Sequence, residues 1–183
     1  MTVTTNIVEL DRFRRVREAL HAMSRPIRRE ARPLQAVDWY LPGVVGKARV
    51  STSFGDLPIE ALRPRDDVRT YSGATAQVQA VDKIHLDQDF LRSFPGALPI
   101  RIPANSIGPG RPSNDLFISP GQEISLDAHV ATSFQKAQNL SGRFRMDLTY
   151  STGLTYYRFH CGLPVVIKVG GIWLRINPWT VAP

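Results

Sequence analysis

Beyond about residue 48 the chain is a succession of short runs rich in Val, Ile, Tyr, Phe and Thr, each closed by glycine or proline. Runs of that length and make-up suit pleated, half-buried strands and leave no room for long helices. Residues 48–70 set the pattern: a strand over 48–53, a turn at Phe54-Gly55-Asp56, a strand over 57–62, then Pro64-Arg65-Asp66-Asp67 leading a strand over 67–71. Further strands are predicted over 76–84, 100–102, 116–118, 123–127, 144–150, 154–161, 164–169 and 172–176. Gly170-Gly171 sits between two apolar runs, and Ser72-Gly73 between two others. Both suit tight hairpin turns that need positive φ. Residues 87–95 read as a short helix or lid, 108–113 as a loop, and 134–143 as a polar loop bearing a helical turn. The fold class is therefore all-β.

The N-terminal segment has a different period. Phe13, Val16, Leu20 and Met23 fall on one stripe of a helix over 6–24. Asn6 is placed to cap its first turn, Glu9 stands in the capping-box position, and Pro26 ends it. Trp39, Tyr40 and Leu41 followed by Pro42-Gly43 mark a change of character. We divide the chain into 1–35, a basic amphipathic helix and linker, and 36–183, a β domain. Of the net charge of +7, residues 1–33 supply +4, with eight arginines against Glu9, Asp11, Glu18 and Glu30. Arg12, Arg15, Arg25, Arg28 and Arg29 can line one side as a weak, non-specific polyanion site. The apolar stripe can instead dock on the β domain or on a second copy, giving self-association. A basic amphipathic helix can also lie on an anionic membrane, although Phe13 is the stripe's sole aromatic.

The chain has no run of 18 apolar residues, so no transmembrane helix is expected, and its start lacks the pattern of a secretory signal. The expected localisation is cytoplasmic. A single cysteine, Cys161, excludes an internal disulfide and multi-thiolate metal sites. His21, His85, His129 and His160 are scattered, and no metal site is expected. No cofactor is expected either: Gly108-Pro109-Gly110 lacks the Lys-Ser/Thr and following helix of a phosphate loop.

Four stretches carry a further signal: Arg49-Val50-Ser51-Thr52 with Gly55 three residues on, 58–64 (PIEALRP), 99–104 (PIRIPA) and 115–120 (DLFISP). Over roughly 43–177 the chain resembles the Hint domain, the autoprocessing module shared by hedgehog proteins and inteins, in its bacterial form. The resemblance implies a compact, pseudo-symmetric set of curved β-hairpins. It also implies a cysteine or serine nucleophile at the start of the domain, a histidine two residues after a Ser-Pro pair, and a late assisting histidine. These groups turn an amide into a thioester or ester by covalent and acid–base catalysis. Mapped onto this chain, the three positions are occupied by Gly43, Gln122 and Pro164. Glycine has no side chain, residues 25–50 contain no Cys, Ser or Thr, and glutamine cannot shuttle a proton near neutral pH. Asn177 resembles the asparagine that ends an intein, but Ile176 precedes it where a histidine is expected and the chain runs on.

The other candidates have plain structural readings. Cys161 reads as a small buried hydrophobe on a strand, its neighbour His160 pointing to the opposite face. His129 follows Asp127 but has no nucleophile to serve. Ser51, Thr52, Ser53 and the pair Asp66-Asp67 read as sheet and turn chemistry. Three functions follow: a binding or interaction module with a protein partner that has lost self-cleavage, an autoprocessing enzyme with an unassigned nucleophile, and a nucleic-acid binder acting through the Arg-rich helix.

Overall fold

The computed structural model describes residues 39–127, 133–140 and 142–179. The predicted helix over 6–24 and the boundary near residue 36 lie outside the described residues. The described residues are all-β, with thirteen strands and one α-helix of six residues.

In chain order the strands are β1 (Val44–Val45), β2 (Arg49–Thr52), β3 (Gly55–Pro58), β4 (Asp67–Arg69), β5 (Thr75–Gln77) and β6 (Ala80–Asp87). After helix α1 (Gln88–Ser93) come β7 (Ile100–Ile102), β8 (Leu116–Ile118), β9 (Glu123–Ser125) and β10 (Gln135–Lys136). The last three are β11 (Gly153–His160), β12 (Val165–Val169) and β13 (Ile172–Ile176). They form two sheets. One has the order β6-β11-β1-β8-β7; the other runs β10-β9-β13-β12-β2-β4-β5, with β3 added to β2.

Both glycine turns stand where the sequence puts them. Val169 pairs with Ile172 across Gly170 and Gly171, which take φ of 56° and 89°, as a tight hairpin of this hand requires. Arg69 pairs with Thr75 around Gly73, whose φ is 85°.

Where the strands differ from expectation, local hydrogen bonds explain it. The run 76–84 is not one strand. At Val78 its amide bonds to Asp66 O, and at Gln79 to His160 O, so the chain leaves β4 in one sheet and joins β11 in the other. The expected strand over 144–150 is replaced by a bridge at Met146 and a 3-10 turn over Leu148–Tyr150. Asp147 causes this: its carboxylate accepts from Thr149 N and Oγ1, a local alternative to a ladder. The second strand stops at Pro58, and Ile59–Ala61 form a 3-10 turn that buries Ile59. β9 ends at Ser125, two residues short of expectation. Within 134–143 the structure adds β10 and a 3-10 turn over Ala137–Leu140. Asp87 caps α1 by accepting from Phe90 N at 2.8 Å, and Pro95 follows its end.

The main core draws Val44 and Ile118 from the first sheet and Val50, Ile124, Ile167 and Leu174 from the second. A smaller cluster under α1 joins Leu86, Leu91, Leu98, Leu154 and Tyr156. Alternation follows burial: in β13, Ile172, Leu174 and Ile176 face the core, and Trp173 and Arg175 lie between.

Ile124 is fully buried in β9, between β10 and β13. Ile124→Ala is expected to lower unfolding free energy by about 2–5 kcal/mol. Leu148→Ala, at a residue 70% exposed, is expected to change it by no more than about 0.5 kcal/mol. Denaturant titration of the two variants checks the core assignment.

Candidate functional site

The loop after β8 carries the Ser-Pro signal and holds the start of the domain in place. Ser119 is fully buried. Its Oγ donates to Leu41 O at 2.5 Å and accepts from Trp39 Nε1 at 2.8 Å and from Gly121 N at 3.3 Å. Its amide donates to Gly43 O at 2.9 Å, continuing the β1–β8 pairing by one residue. One serine thus fixes three residues of the entering chain. Gly121 is required by the same closeness, because a Cβ there would collide with the main-chain carbonyl of Tyr40.

Gln122 follows in the same turn and is 2% exposed. Its Nε2 donates to Glu123 O at 3.0 Å and to Arg175 O at 2.9 Å. Two carbonyl acceptors on one nitrogen fix the orientation of the amide and tie this turn to the end of β13. Gly43 sits directly before β1. A Cβ at this position would lie 3.0 Å from Tyr156 Cβ, tighter than ordinary packing. Tyr156 has little freedom to yield, since it is fully buried and its hydroxyl donates to Ala97 O at 2.8 Å. Burial pushes the Tyr156 phenol far above its ordinary range.

Beside these residues lies a cavity of about 390 Å³. Pro42 and Val44, the neighbours of Gly43, line it together with Gln122 and Asn177. Asn177 donates to Glu123 Oε2 at 3.3 Å. Three cations also line the cavity. Arg158 is paired with Asp82 through Nε at 2.8 Å and Nη2 at 2.6 Å, and its guanidinium lies 4.6 Å from the Trp179 ring centroid. Arg175 lies 3.7 Å from Glu123 Oε2 and 4.2 Å from the Phe134 ring centroid. Lys136 stands over the Tyr40 ring at 5.1 Å. Lys136, Arg158, Arg175, Phe134 and Trp179 have no sequence signal. They are spread along the chain, and only strand order brings them together.

Pro164 stands apart. It is exposed in the turn between β11 and β12 and lines a different depression, with Thr70, Gln77 and Leu163. Arg12, Arg15, Arg25, Arg28, Arg29, His21 and His129 lie outside the described residues. Cys161 is buried in the main core, and burial pushes its thiol up to about 11. His160 Nδ1 accepts from Gly162 N at 3.1 Å, and its ring meets Trp179 edge-on at 4.4 Å. Asp66 accepts from Arg63 N, and Thr52 Oγ1 donates to Gly55 O and accepts from Phe54 N, so these side chains serve their own turns. Among the described residues no three His, Cys, Asp or Glu side chains are grouped to hold a metal ion. No helix among them is long and apolar enough to cross a membrane.

The Hint domain family profile matches residues 42–175. The chain belongs to the Hint domain family. Among solved structures it is similar to the AceL NrdHF class 3 split intein, in a GSH-linked, splice-inactive variant. Identity is 12%, 75% of this chain and 99% of that chain are covered, and the TM-score is 0.41. No curated protein sequence matches the chain.

Ser119→Ala removes a buried acceptor for Trp39 and a donor for Leu41. A loss of about 1–3 kcal/mol is expected, with faster amide exchange over 40–43 than elsewhere in the sheet. Cys161 is expected to resist alkylation in the native protein at pH 8 and to react at once in denaturant. Its unfolded thiol ionises near the ordinary value of 9.0, below the folded one. Between those two values the unfolded state therefore binds fewer protons, and stability falls as pH rises. Rapid native labelling refutes the buried assignment.

Proposed function

We propose that this Hint domain is a binding or interaction module that does not cleave its own backbone. Gly43 carries the reading. Attack on the preceding carbonyl needs a side-chain nucleophile, and this position has none. Residues 25–50 contain no Cys, Ser or Thr to replace it, and the space beside Gly43 is closed by Tyr156. Gln122 supports the same reading. Its amide nitrogen is engaged by two main-chain carbonyls, and an amide does not ionise near neutral pH to act as a general acid or base. A domain with this arrangement keeps a formed cavity and an ordered entry strand while lacking the groups that open an amide.

The rival reading is self-cleavage by another nucleophile, and intact mass separates the two. The purified chain is expected to stay at 20.5 kDa through prolonged incubation with dithiothreitol or hydroxylamine. Those reagents release a fragment from any thioester or ester. A time-dependent fragment ending near residue 42 refutes the proposal.

A further inference from the structure

At the β7 edge of the first sheet, the chain around Met146 is the outermost segment, and part of its main chain is open. Arg101 N donates to Arg145 O at 3.0 Å and Asp147 N to Pro99 O at 2.8 Å, on either side of the bridge between Ile100 and Met146. Successive residues of an extended chain turn their N–H and C=O to opposite sides. Arg145 and Asp147 face β7, so the N–H and C=O of Met146 face outward. No described residue bonds to either group. An open N–H and C=O at a sheet edge is a template for one more strand.

This edge borders a depression of about 680 Å³. Arg145 and Met146 are successive residues of an extended segment, and their side chains point to opposite faces. Both line the depression, which therefore wraps the edge. Its apolar part is open to solvent: Met146 is 43% exposed and Leu148 70%.

Arg101, Arg143 and Arg145 line the same depression. The carboxylates beside them are engaged. Asp115 accepts from Arg101 Nε at 2.8 Å and lies 2.6 Å from its Nη2. Asp147 accepts from the amide and the hydroxyl of Thr149. Arg143 donates to Ser106 O at 3.2 Å, and the Arg145 side chain has no partner among the described residues. Neither arginine is neutralised there, and three arginines against Asp115 and Asp147 leave the edge positive.

The edge is concave, which suits a chain segment better than a flat bilayer. Phe144, the aromatic residue that lines it, is 4% exposed and offers nucleic-acid bases no ring to stack on. We infer that an extended acidic peptide segment, with apolar residues between its carboxylates, docks here as an added strand. Its main chain pairs with Met146, its carboxylates meet Arg143 and Arg145, and its apolar side chains cover Met146 and Leu148. The alternation of acidic and apolar residues in the peptide answers the alternation of Arg145 and Met146. The site uses neither Gly43 nor Gln122, so it goes beyond the non-processing reading and is tested apart from it.

The test is fluorescence anisotropy of a labelled Glu-Leu-Glu-Leu-Glu peptide titrated with the full chain. Saturable binding that weakens as salt rises is expected. Gln-Leu-Gln-Leu-Gln lacks the charge and Glu-Ser-Glu-Ser-Glu lacks the apolar groups, and each is expected to bind about tenfold more weakly. Arg145→Gln and Leu148→Ser are each expected to weaken binding of the first peptide about tenfold while leaving the melting temperature unchanged. Hydrogen exchange at the Met146 amide is expected to slow about tenfold or more at saturation, which side-chain contact alone does not produce. Unchanged exchange at Met146, or no saturable binding at millimolar peptide, overturns the inference. So does binding that survives Arg145→Gln and is lost in the triple variant Arg25→Gln, Arg28→Gln, Arg29→Gln, since the peptide then sits on the N-terminal segment. Arg145-dependent binding to phosphatidylglycerol-containing vesicles without binding of the peptide also overturns it, in favour of a lipid surface.

Discussion

Ser119 is the point from which the front of the domain is organised. It is buried, and a buried hydroxyl must find partners or cost stability. Here the partners all belong to the chain on either side: the indole of Trp39, the carbonyl of Leu41 and the amide of Gly121. The serine amide adds the carbonyl of Gly43. These bonds place β1 between β8 and β11, although β1 itself is only two residues long. A strand so short has little pairing of its own, and its position depends on the anchor before it.

The consequences spread along both sheets. With β1 held, Val44 joins the main core and Val45 packs on the cluster under α1. The Ser119 turn also delivers Gln122, whose amide reaches the carbonyl of Arg175 at the end of β13. That bond links the turn to the second sheet and leaves a cavity whose apolar wall is the core itself. The same turn brings Gln122 and the neighbours of Gly43 to one cavity. Gln122 is held by main-chain hydrogen bonds, and Gly43 by close packing on Tyr156.

Much of the fold was legible because it is written locally. Gly170-Gly171 and Gly73 announce hairpins through the φ they need, and strands such as β11 and β13 show burial alternation over enough residues to be read. The Ser-Pro pair and the run from Arg49 to Gly55 carry the family signal on short, fixed spacings. Two kinds of misreading were also local in cause. Asp147 turned an apparent strand into a 3-10 turn, and β1 and β10, two residues each, were too short to show a period. At residues 78–79 a continuous apolar-polar pattern concealed a change of sheet, because strand propensity does not depend on which neighbour supplies the hydrogen bonds.

By itself the sequence determined the all-β class, the main hairpins, the family and the absence of a side chain at Gly43, since each depends on residue identity or on neighbours a few positions apart. Tertiary structure alone decided that Lys136, Arg158, Arg175 and Trp179 would share a cavity with Gln122, and that Pro164 would lie elsewhere. Those residues meet through the order of strands in two sheets. That order is set by long-range hydrogen bonds and by one shared core, whose partners are far apart along the chain and leave no periodic trace in it.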